Sequence, residues 1–165
     1  MAKYKQGVFK PKNPAKYAGK GDIIYRSSWE RHAFKWCDTN TAIKRWSSED
    51  TVIPYFWDVD KKWHRYFCDL LIEFDDKTLL IEIKPDKETK KPVFKGRKTK
   101  RYITEATTFI KNQQKWEAAA KFAKKKGWIF QVWTEDTLDK MGIMKKSRKR
   151  LKPLSRPKKN PKKKA

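Results

Sequence analysis

The sequence is poor in cysteine, in histidine and in long apolar runs. Among 165 residues only two are cysteine and two are histidine. That is too few for a disulfide framework, and the histidine spacing does not suggest a zinc site. No apolar run reaches the roughly 18 residues of a membrane-spanning helix, and the N-terminus lacks the apolar stretch of a signal peptide. We therefore expect a soluble, intracellular protein that makes no contact with a membrane.

Acidic residues are missing from both ends of the chain. Residues 145–165 hold twelve Lys or Arg, and residues 1–20 hold six Lys. The formal net charge is +24, of which residues 21–144 contribute only +6. Cationic segments of this kind attract phosphates through contacts that depend on salt but not on base sequence. The composition therefore predicts a modestly basic body with cationic ends that bind a polyanion such as DNA.

The chain divides by composition into three parts. Residues 1–22 are rich in Lys, Pro and Gly and predict an extended basic arm. Residues 144–165 form a basic, low-complexity tail that its prolines keep extended. Between them, residues 23–143 are long enough for one domain, and an aromatic content of 14% argues against a wholly disordered chain.

Hydrophobic periodicity predicts helices that alternate with strands in this domain. The expected helical segments are 27–38, 104–126 and 136–141, and the expected strands are 51–57, 63–74, 78–84 and 128–134. The first three strands should form an antiparallel meander, and Gly127 should end the long helix. The predicted fold class is α/β, with helices that cover a mixed sheet.

Two carboxylates and a lysine mark the predicted meander. Asp69 lies in its second strand, and Glu82 and Lys84 lie in its third. Because side chains alternate along a strand, Glu82 and Lys84 should share one face while Ile81 and Ile83 face the core. A hairpin can bring Asp69 beside Glu82 as two oxygen ligands for a hard cation such as Mg²⁺, and the carbonyl of Ile83 can add a third. A metal-dependent nuclease needs this arrangement, with a lysine next to the metal.

Each of these residues also has an ordinary structural explanation. Asp69 can be a lone polar strand residue, and Glu82 with Lys84 can form a solvated face of the sheet. Glu30 closes the segment Ser27-Ser28-Trp29-Glu30, which matches a capping box at the start of the first helix. One residue can serve both the cap and an active site, so the residues alone leave both interpretations open.

Five short stretches follow one another in a specific order. They are residues 25–30, 46–49, 52–55, 64–69 and 81–85. With Glu30, Asp69 and the Glu82-x-Lys84 pair, they resemble the PD-(D/E)XK nuclease superfamily, and within it the head-completion nucleases of large tailed phages. The resemblance covers roughly residues 20–135. Cys68 departs from the family pattern, which has proline before the aspartate, but this position binds no metal.

The resemblance implies a restriction-endonuclease-like core, in which helices flank a mixed sheet. It implies a site for Mg²⁺, or Mn²⁺ as an alternative ion, at Asp69 and Glu82, with Lys84 as the catalytic lysine and Glu30 assisting. It also implies an endonuclease or exonuclease that processes packaged DNA late in assembly, so that heads can join tails. Its partners would be DNA and portal, neck or capsid proteins, in the host cytoplasm or in the particle.

Further basic and polar residues are candidates for DNA contact. Gln113 and Gln114 lie in the long helix, where related nucleases often place a polar residue facing the site, and Lys111 and Lys115 flank them. A solvated helix face is the alternative for these four residues. The candidates in the preceding loop and in the tail are Lys95, Arg97, Lys98, Lys149 and Arg150.

Four tryptophans in the predicted strands and helices could stack on bases, although such positions are more typical of a core. They are Trp57, Trp63, Trp116 and Trp133. Both cysteines are expected to be buried as small hydrophobic residues.

The sequence is also compatible with two other functions. The first keeps the fold and is a structure-specific or transposase-type endonuclease, which residues 127–136 resemble as well. The second is a non-catalytic basic protein that binds DNA or joins heads. Metal-dependent cleavage that is lost on replacement of Asp69 separates the enzymes from the binding protein.

Overall fold

The computed structural model describes residues 5–146 of the chain. Within this range the chain forms eight strands, three α-helices and two 3-10 turns. In chain order they are β1 (Gly7–Phe9), a 3-10 turn (Pro14–Lys16), β2 (Ile23–Tyr25), α1 (Ser28–Thr39), β3 (Ile43–Ser48), β4 (Val52–Trp57), β5 (Lys62–Phe67), β6 (Leu70–Phe74), β7 (Thr78–Ile83), a 3-10 turn (Asp86–Thr89), α2 (Lys100–Lys126), β8 (Ile129–Trp133) and α3 (Glu135–Lys140). The tail candidates Lys149 and Arg150 lie outside the described residues.

The central sheet has four strands in the order β3-β6-β7-β8. β7 and β8 are parallel, whereas the other neighbouring pairs are antiparallel. α2 connects the two parallel strands and packs on one face of the sheet, and α1 packs on the other. This architecture confirms the predicted α/β class, with a mixed sheet between helices.

Capping side chains determine where the helices begin and end. The Ser27 hydroxyl accepts a hydrogen bond from the backbone N–H of Glu30 and starts α1 as predicted. α2 begins at Lys100 rather than at 104, because the Thr99 hydroxyl accepts from the N–H of Tyr102. Gly127 ends α2 with a φ of 73°, a left-handed conformation that suits glycine. None of the helices within residues 5–146 has the length and apolar character of a membrane span.

The predicted three-stranded meander is divided between two sheets, so this part of the prediction is wrong. The expected strand at 63–74 is broken at Cys68 and Asp69. β5 pairs with β4 in a separate two-stranded sheet, whereas β6 pairs with β3 and β7 in the central one. β3 was not predicted, because its register shifts between Ile43 and Arg45 and interrupts the alternation of buried and exposed side chains.

The N-terminal segment packs against the domain. β1 pairs with β2, and the Lys16 ammonium donates to three backbone carbonyls at the C-terminal end of α1. The buried carboxylate of Asp38 accepts from the backbone N–H groups of Lys12 and Asn13 at 2.7 and 3.0 Å. The expectation of an extended arm is therefore wrong for the described part of residues 1–22.

Candidate active site

The structure brings Asp69 and Glu82 together at the end of the β6–β7 ladder. Leu70 pairs with Ile81 in this ladder, so the preceding Asp69 lies next to Glu82 and Ile83. The Asp69 carboxylate accepts a hydrogen bond from the backbone N–H of Ile83 at 2.7 Å. This bond fixes one carboxylate oxygen, Oδ2, against β7 and leaves Oδ1 available to a ligand.

Glu82 is held between a tyrosine and a lysine. Its side chain is buried, with 5% of the residue exposed, and its Oε2 accepts from the Tyr66 hydroxyl at 2.5 Å. The Lys84 ammonium lies 3.5 Å from Oε1 of Glu82. The alternation along β7 thus places Glu82 and Lys84 on the same face, as expected, while Ile81 and Ile83 face the core on the α1 side.

The low exposure of the site disfavours the state in which Asp69 and Glu82 both carry a negative charge. Burial, followed by repulsion from Glu82, raises the pKa of Asp69 well above its usual value. Burial also raises the pKa of Glu82, against the opposing pull of the Lys84 charge. For Lys84, burial favours the neutral amine, but the charges of Glu82 and Asp69 outweigh it and raise the pKa of Lys84. The site therefore combines a protonated lysine with a carboxylate pair that a bound cation would stabilise.

The oxygen donors of this pair suit a hard divalent cation. Mg²⁺ in proteins is commonly bound through one or two carboxylates, with water and substrate phosphate completing its shell. Asp69 Oδ1 and Glu82 Oε1 are the two carboxylate oxygens that accept no hydrogen bond from a backbone or hydroxyl group among the described residues. In that same range no group of three or more His, Cys, Asp and Glu has metal-binding geometry. The residues fit a cation held by two carboxylates, and the Ile83 carbonyl stays a predicted third ligand.

Glu30 caps α1 and also lies near the carboxylate pair. Its Oε2 accepts from the backbone N–H of Arg26 at 2.7 Å, and its Oε1 accepts from the Ser27 hydroxyl at 3.1 Å. The predicted capping box is therefore only half formed: the Ser27 hydroxyl accepts from the Glu30 N–H, but the Glu30 carboxylate accepts from the Arg26 N–H instead of the Ser27 N–H. The Glu30 charge is also close enough to contribute to the raised pKa of Asp69, so the structure places this residue at the rim of the site.

Arg26 and Glu49 connect this rim to Asp69 and were not predicted as site residues. The Arg26 guanidinium donates to both carboxylate oxygens of Glu49, at 2.8 and 3.1 Å. The backbone N–H of Glu49 donates to the carbonyl of Asp69 at 3.2 Å. The pKa of Arg26 is raised, mainly by Glu49. Arg26 lies in the stretch 25–30 and Glu49 in the stretch 46–49, which both carry the resemblance, so the resemblance could have pointed to them.

α2 brings Lys115 to the opposite side of the site. The Lys115 ammonium lies 5.7 Å from the Tyr55 ring centroid and 5.4 Å from that of Tyr66. Burial lowers the pKa of Lys115, while its charge helps to lower that of Glu82. Lys111 lies one turn earlier, with its ammonium 5.3 Å from the Trp57 ring centroid. These two lysines therefore line the approach to the site from α2.

The predicted glutamines do not face the carboxylates. Gln114 donates to the Asp58 carboxylate, in the turn between β4 and β5, at 2.5 Å, and Gln113 is exposed. The buried polar residue of α2 is instead Asn112, with 6% exposed, and its Nδ2 has no hydrogen-bond partner among the described residues. Asn112 lies on the same helix face as Lys115, one turn earlier. The sequence did not identify Asn112 because it does not show which face of α2 packs against the sheet.

Residues 85–99, which connect Lys84 to α2, form a basic segment next to the site. Lys95, Arg97 and Lys98 are exposed in this loop, and the charge of Glu88 in the preceding 3-10 turn contributes to the raised pKa of Lys84. A cleft of about 520 Å³ lies between this segment and the first half of α2. The cations that line it are Lys87, Lys90, Lys91 and Arg101.

The cysteines and most tryptophans have structural roles. Cys37 and Cys68 are both buried, as predicted. The Cys68 thiol donates to the Ile81 carbonyl at 3.1 Å, and burial raises its pKa, so it stays protonated. Trp57, Trp116 and Trp133 are buried, which confirms their assignment to the core. For Trp63 that assignment is wrong, because 71% of this residue is exposed.

Comparison with known proteins shows the family of this chain. The family described as "TnsA-like endonuclease N terminal" matches residues 40–135, which include Asp69, Glu82 and Lys84. The "Head completion nuclease" of Enterobacteria phage T4 is 42% identical over 143 residues. That alignment covers 83% of this chain and 95% of the phage T4 protein.

Proposed function

The chain belongs to the TnsA-like endonuclease family, and from this premise we propose that it is a metal-dependent DNA nuclease of phage head completion. The main observation behind this proposal is the half-buried Asp69 beside the buried Glu82, with the Lys84 ammonium 3.5 Å from Glu82, inside the region that the family matches. The similarity to the T4 head completion nuclease along most of both chains supports the assembly role.

The carboxylates would hold the cation that the reaction requires. In DNA hydrolysis, water attacks a phosphodiester, and a bound Mg²⁺ or Mn²⁺ supplies Lewis-acid stabilisation of the charge that develops on the phosphate. Asp69 and Glu82 are its ligands in this proposal, together with the carbonyl of Ile83. The Ile83 N–H and the Tyr66 hydroxyl hold these carboxylates in place before any ligand arrives.

Lys84 acts through its positive charge. In the protein without a bound cation, the charges of Glu82 and Asp69 outweigh the effect of burial and raise the pKa of Lys84, so its side chain carries a proton. The ammonium is therefore assigned to the stabilisation of negative charge on the phosphate. Glu30 assists from the rim, where its charge adds to the field at Asp69.

The remaining cations would guide the substrate. Lys111 and Lys115 on α2 would contact the DNA backbone near the cut, and the loop residues Lys95, Arg97 and Lys98 would contact it farther away. Lys149 and Arg150 belong to the cationic tail, which would retain DNA without sequence preference. Removal of residues 145–165 should therefore weaken DNA binding at moderate salt and spare cleavage at the metal site.

Head completion gives the nuclease its proposed place and partners. The protein would process DNA of a filled head in the host cytoplasm and would meet portal, neck or capsid proteins there, or travel with the particle. The TnsA-like match favours one alternative, an endonuclease of the transposition type. Neighbouring capsid and tail genes would favour head completion, and neighbouring transposition genes would favour the alternative.

The decisive experiment is degradation of a supercoiled plasmid in Mg²⁺ and in EDTA. The native protein is compared with Asp69→Ala and Lys84→Ala, and with Asp76→Ala as a matched control. Asp76 is exposed in the turn at the other end of the same two strands, away from the site. We expect metal-dependent degradation by the native and control proteins and loss of activity in the two site variants.

The other outcomes assign the activity differently. Tight DNA binding by a native protein that cuts nothing in Mg²⁺ would contradict the nuclease and favour a DNA-binding or head-joining protein. Equal cleavage by all four proteins would show that Asp69 and Lys84 are not the catalytic residues.

A further inference from the structure

The β4–β5 hairpin has two faces of different character. Side chains alternate along both strands, so one face packs against α2 and the other is solvent-exposed. On the exposed face the cross-strand neighbours are Val52 with Phe67, Pro54 with Arg65, and Phe56 with Trp63. Aromatic side chains that lie together in water on one strand pair indicate a binding surface more than a folding requirement.

This exposed face carries three aromatic rings and one cation. Trp63 is 71% exposed, Phe67 46% and Phe56 37%. The rings of Phe56 and Trp63 meet at a centroid distance of 5.6 Å, and the Arg65 guanidinium lies 5.8 Å from the Phe67 ring centroid. No carboxylate projects from the strand positions of this face.

Carboxylates also lie near the rings: Asp58 and Glu117 line a pocket together with Phe56 and Trp63. Asp58 accepts a hydrogen bond from Gln114. Asp60 accepts from His64 at 2.7 Å and from the backbone N–H of Lys62. The cations that offset these charges are Lys61, 3.8 Å from Asp58, and Lys121, 2.9 Å from Glu117. With Arg65 on the face itself, aromatic surface and cations lie together, and this combination suits nucleic acid.

The hairpin begins at the proposed active site. The pair Val52 and Phe67 lies at its base, and the backbone N–H of Cys68 donates to the carbonyl of Thr51 at 3.2 Å. Asp69 follows directly. On the opposite face of the same strand, Tyr66 binds Glu82. Phe67, the first ring of the exposed face, is therefore two residues from Asp69 along the chain, where a DNA strand that passes around the base of the hairpin would meet it.

We propose that this face stacks the unpaired bases of a single-stranded DNA segment next to the phosphodiester that is cut. The inference rests on the proposed nuclease function and narrows its substrate to DNA with a single-stranded end or gap. Base–aromatic stacking is tolerant of sequence, because every base has a π-face, and Arg65 adds attraction to the backbone.

The length of the hairpin determines how many unpaired nucleotides of single-stranded DNA can lie along it. From Asp69 to Trp63 the chain runs along β5, and at about 3.4 Å per residue this spans roughly 20 Å. Stacked nucleotides also advance about 3.4 Å each along one strand. An overhang of roughly six nucleotides would therefore reach Trp63, whereas an overhang of one or two would reach only Phe67.

The test measures binding of fluorescent duplexes that are blunt or carry an overhang of one or six nucleotides. EDTA prevents cleavage, and the readout is the ratio of affinities for the overhang and the blunt duplex. The native protein is compared with Trp63→Leu, which keeps an apolar side chain without a ring, and with Trp63→Phe, which keeps a ring. Ile24→Ala, at an exposed apolar position on β2, is the control.

We expect the native protein and the control to prefer the six-nucleotide overhang. Trp63→Leu should reduce this preference about tenfold, the loss of one stacked base, while Trp63→Phe should keep most of it. The one-nucleotide overhang should not distinguish the variants. Equal preference in the Leu and Phe variants, or no preference in the native protein, would overturn the proposal and point to another occupant, such as a protein partner.

Binding in EDTA keeps this inference separate from the nuclease itself. A native protein that prefers the long overhang but never cuts DNA in Mg²⁺ would contradict only the proposed function. A native protein that cuts DNA and binds all three duplexes alike would contradict only the stacking surface.

Discussion

The two faces of β7 differ in what they contribute to the protein. Leu79, Ile81 and Ile83 face α1 and belong to the hydrophobic core on that side of the sheet. Leu80, Glu82 and Lys84 face the other way, where α2 and the β4–β5 hairpin surround two ionisable side chains. One strand therefore supports the fold with one set of alternate residues and the proposed chemistry with the other.

This difference has an energetic side. Burial of apolar side chains stabilises the folded state at about 25 cal/mol per Å². Burial of carboxylates without a full set of partners opposes folding, and here it raises the pKa of both Asp69 and Glu82. We therefore expect the apolar side chains, such as Ile81, to control stability, and the ionisable side chains Glu82 and Lys84, with the neighbouring Asp69, to control activity.

Asp69→Asn should have the largest effect on activity. It removes one metal ligand but keeps an oxygen for the Ile83 N–H, and the cleavage rate in Mg²⁺ should fall by roughly 10²–10³-fold or more. The free energy of unfolding in EDTA should stay the same or rise, because one of two repelling charges is gone. A plasmid assay and urea denaturation measure the two effects, with Asp76→Asn as the control. A marked loss of stability would show that Asp69 supports the fold, and this would contradict the proposed division between stability and activity.

Ile81→Ala, next to Glu82 in the chain, should lower stability and leave the cleavage rate nearly unchanged. Ile81 is fully buried on the α1 side, and its truncation should lower the free energy of unfolding by about 2–5 kcal/mol. The cleavage rate per folded molecule, measured well below the unfolding temperature, should change little. If the loss of rate exceeds the loss of folded protein, the two faces are not independent.

Tyr66→Phe should have a smaller effect on activity. It removes the hydroxyl that donates to Glu82, a bond to a charged group worth about 1.5–3 kcal/mol. Part of this energy orients the carboxylate, so we expect the cleavage rate to fall about tenfold. Tyr17→Phe, on a ring that packs against Trp46, is the control. An unchanged rate would show that Glu82 is positioned by other contacts.

The pH dependence of stability should show the smallest effect. Folding raises the pKa of Asp69 above its ordinary 3.8, so the folded protein binds more protons than the unfolded chain above about pH 4. The contribution of this group to stability is thus fully present below that pH and is lost as the pH rises through the folded pKa. In EDTA, native stability should decline relative to Asp69→Asn over this range. Parallel curves for the two proteins would contradict the raised pKa of Asp69.

Strand alternation and helix caps were readable from the sequence because they are local. Ser27, Gly127 and the order of side chains from Ile81 to Lys84 could be assigned from their neighbours alone. The break between β5 and β6 could not. No glycine or proline marks it, and the interruption at Cys68 and Asp69 follows from pairing with two different sheets.

The polar residue of α2 shows the same limit. Gln114 and Asn112 are two positions apart, which on a helix is about 200° of rotation. Which of them turns inward depends on the packing of Trp116, Ala119 and Ala123 against the sheet. Trp63 was assigned to the core for a similar reason. The sequence does not show which face of β5 packs inward, and the structure places Trp63 on the outer face, opposite Phe56.

The contact of Lys16 with the end of α1 has a practical consequence for anyone who shortens this protein. A version that begins at residue 21 would remove three hydrogen bonds from the last turn of α1. It would also leave Asp38, which is only 1% exposed, without its two backbone donors. Water would replace these donors only in part, so we expect such a version to be less stable than the full chain. Purification tags and trims are therefore best placed ahead of residue 5, so that Lys16 and its neighbours stay intact.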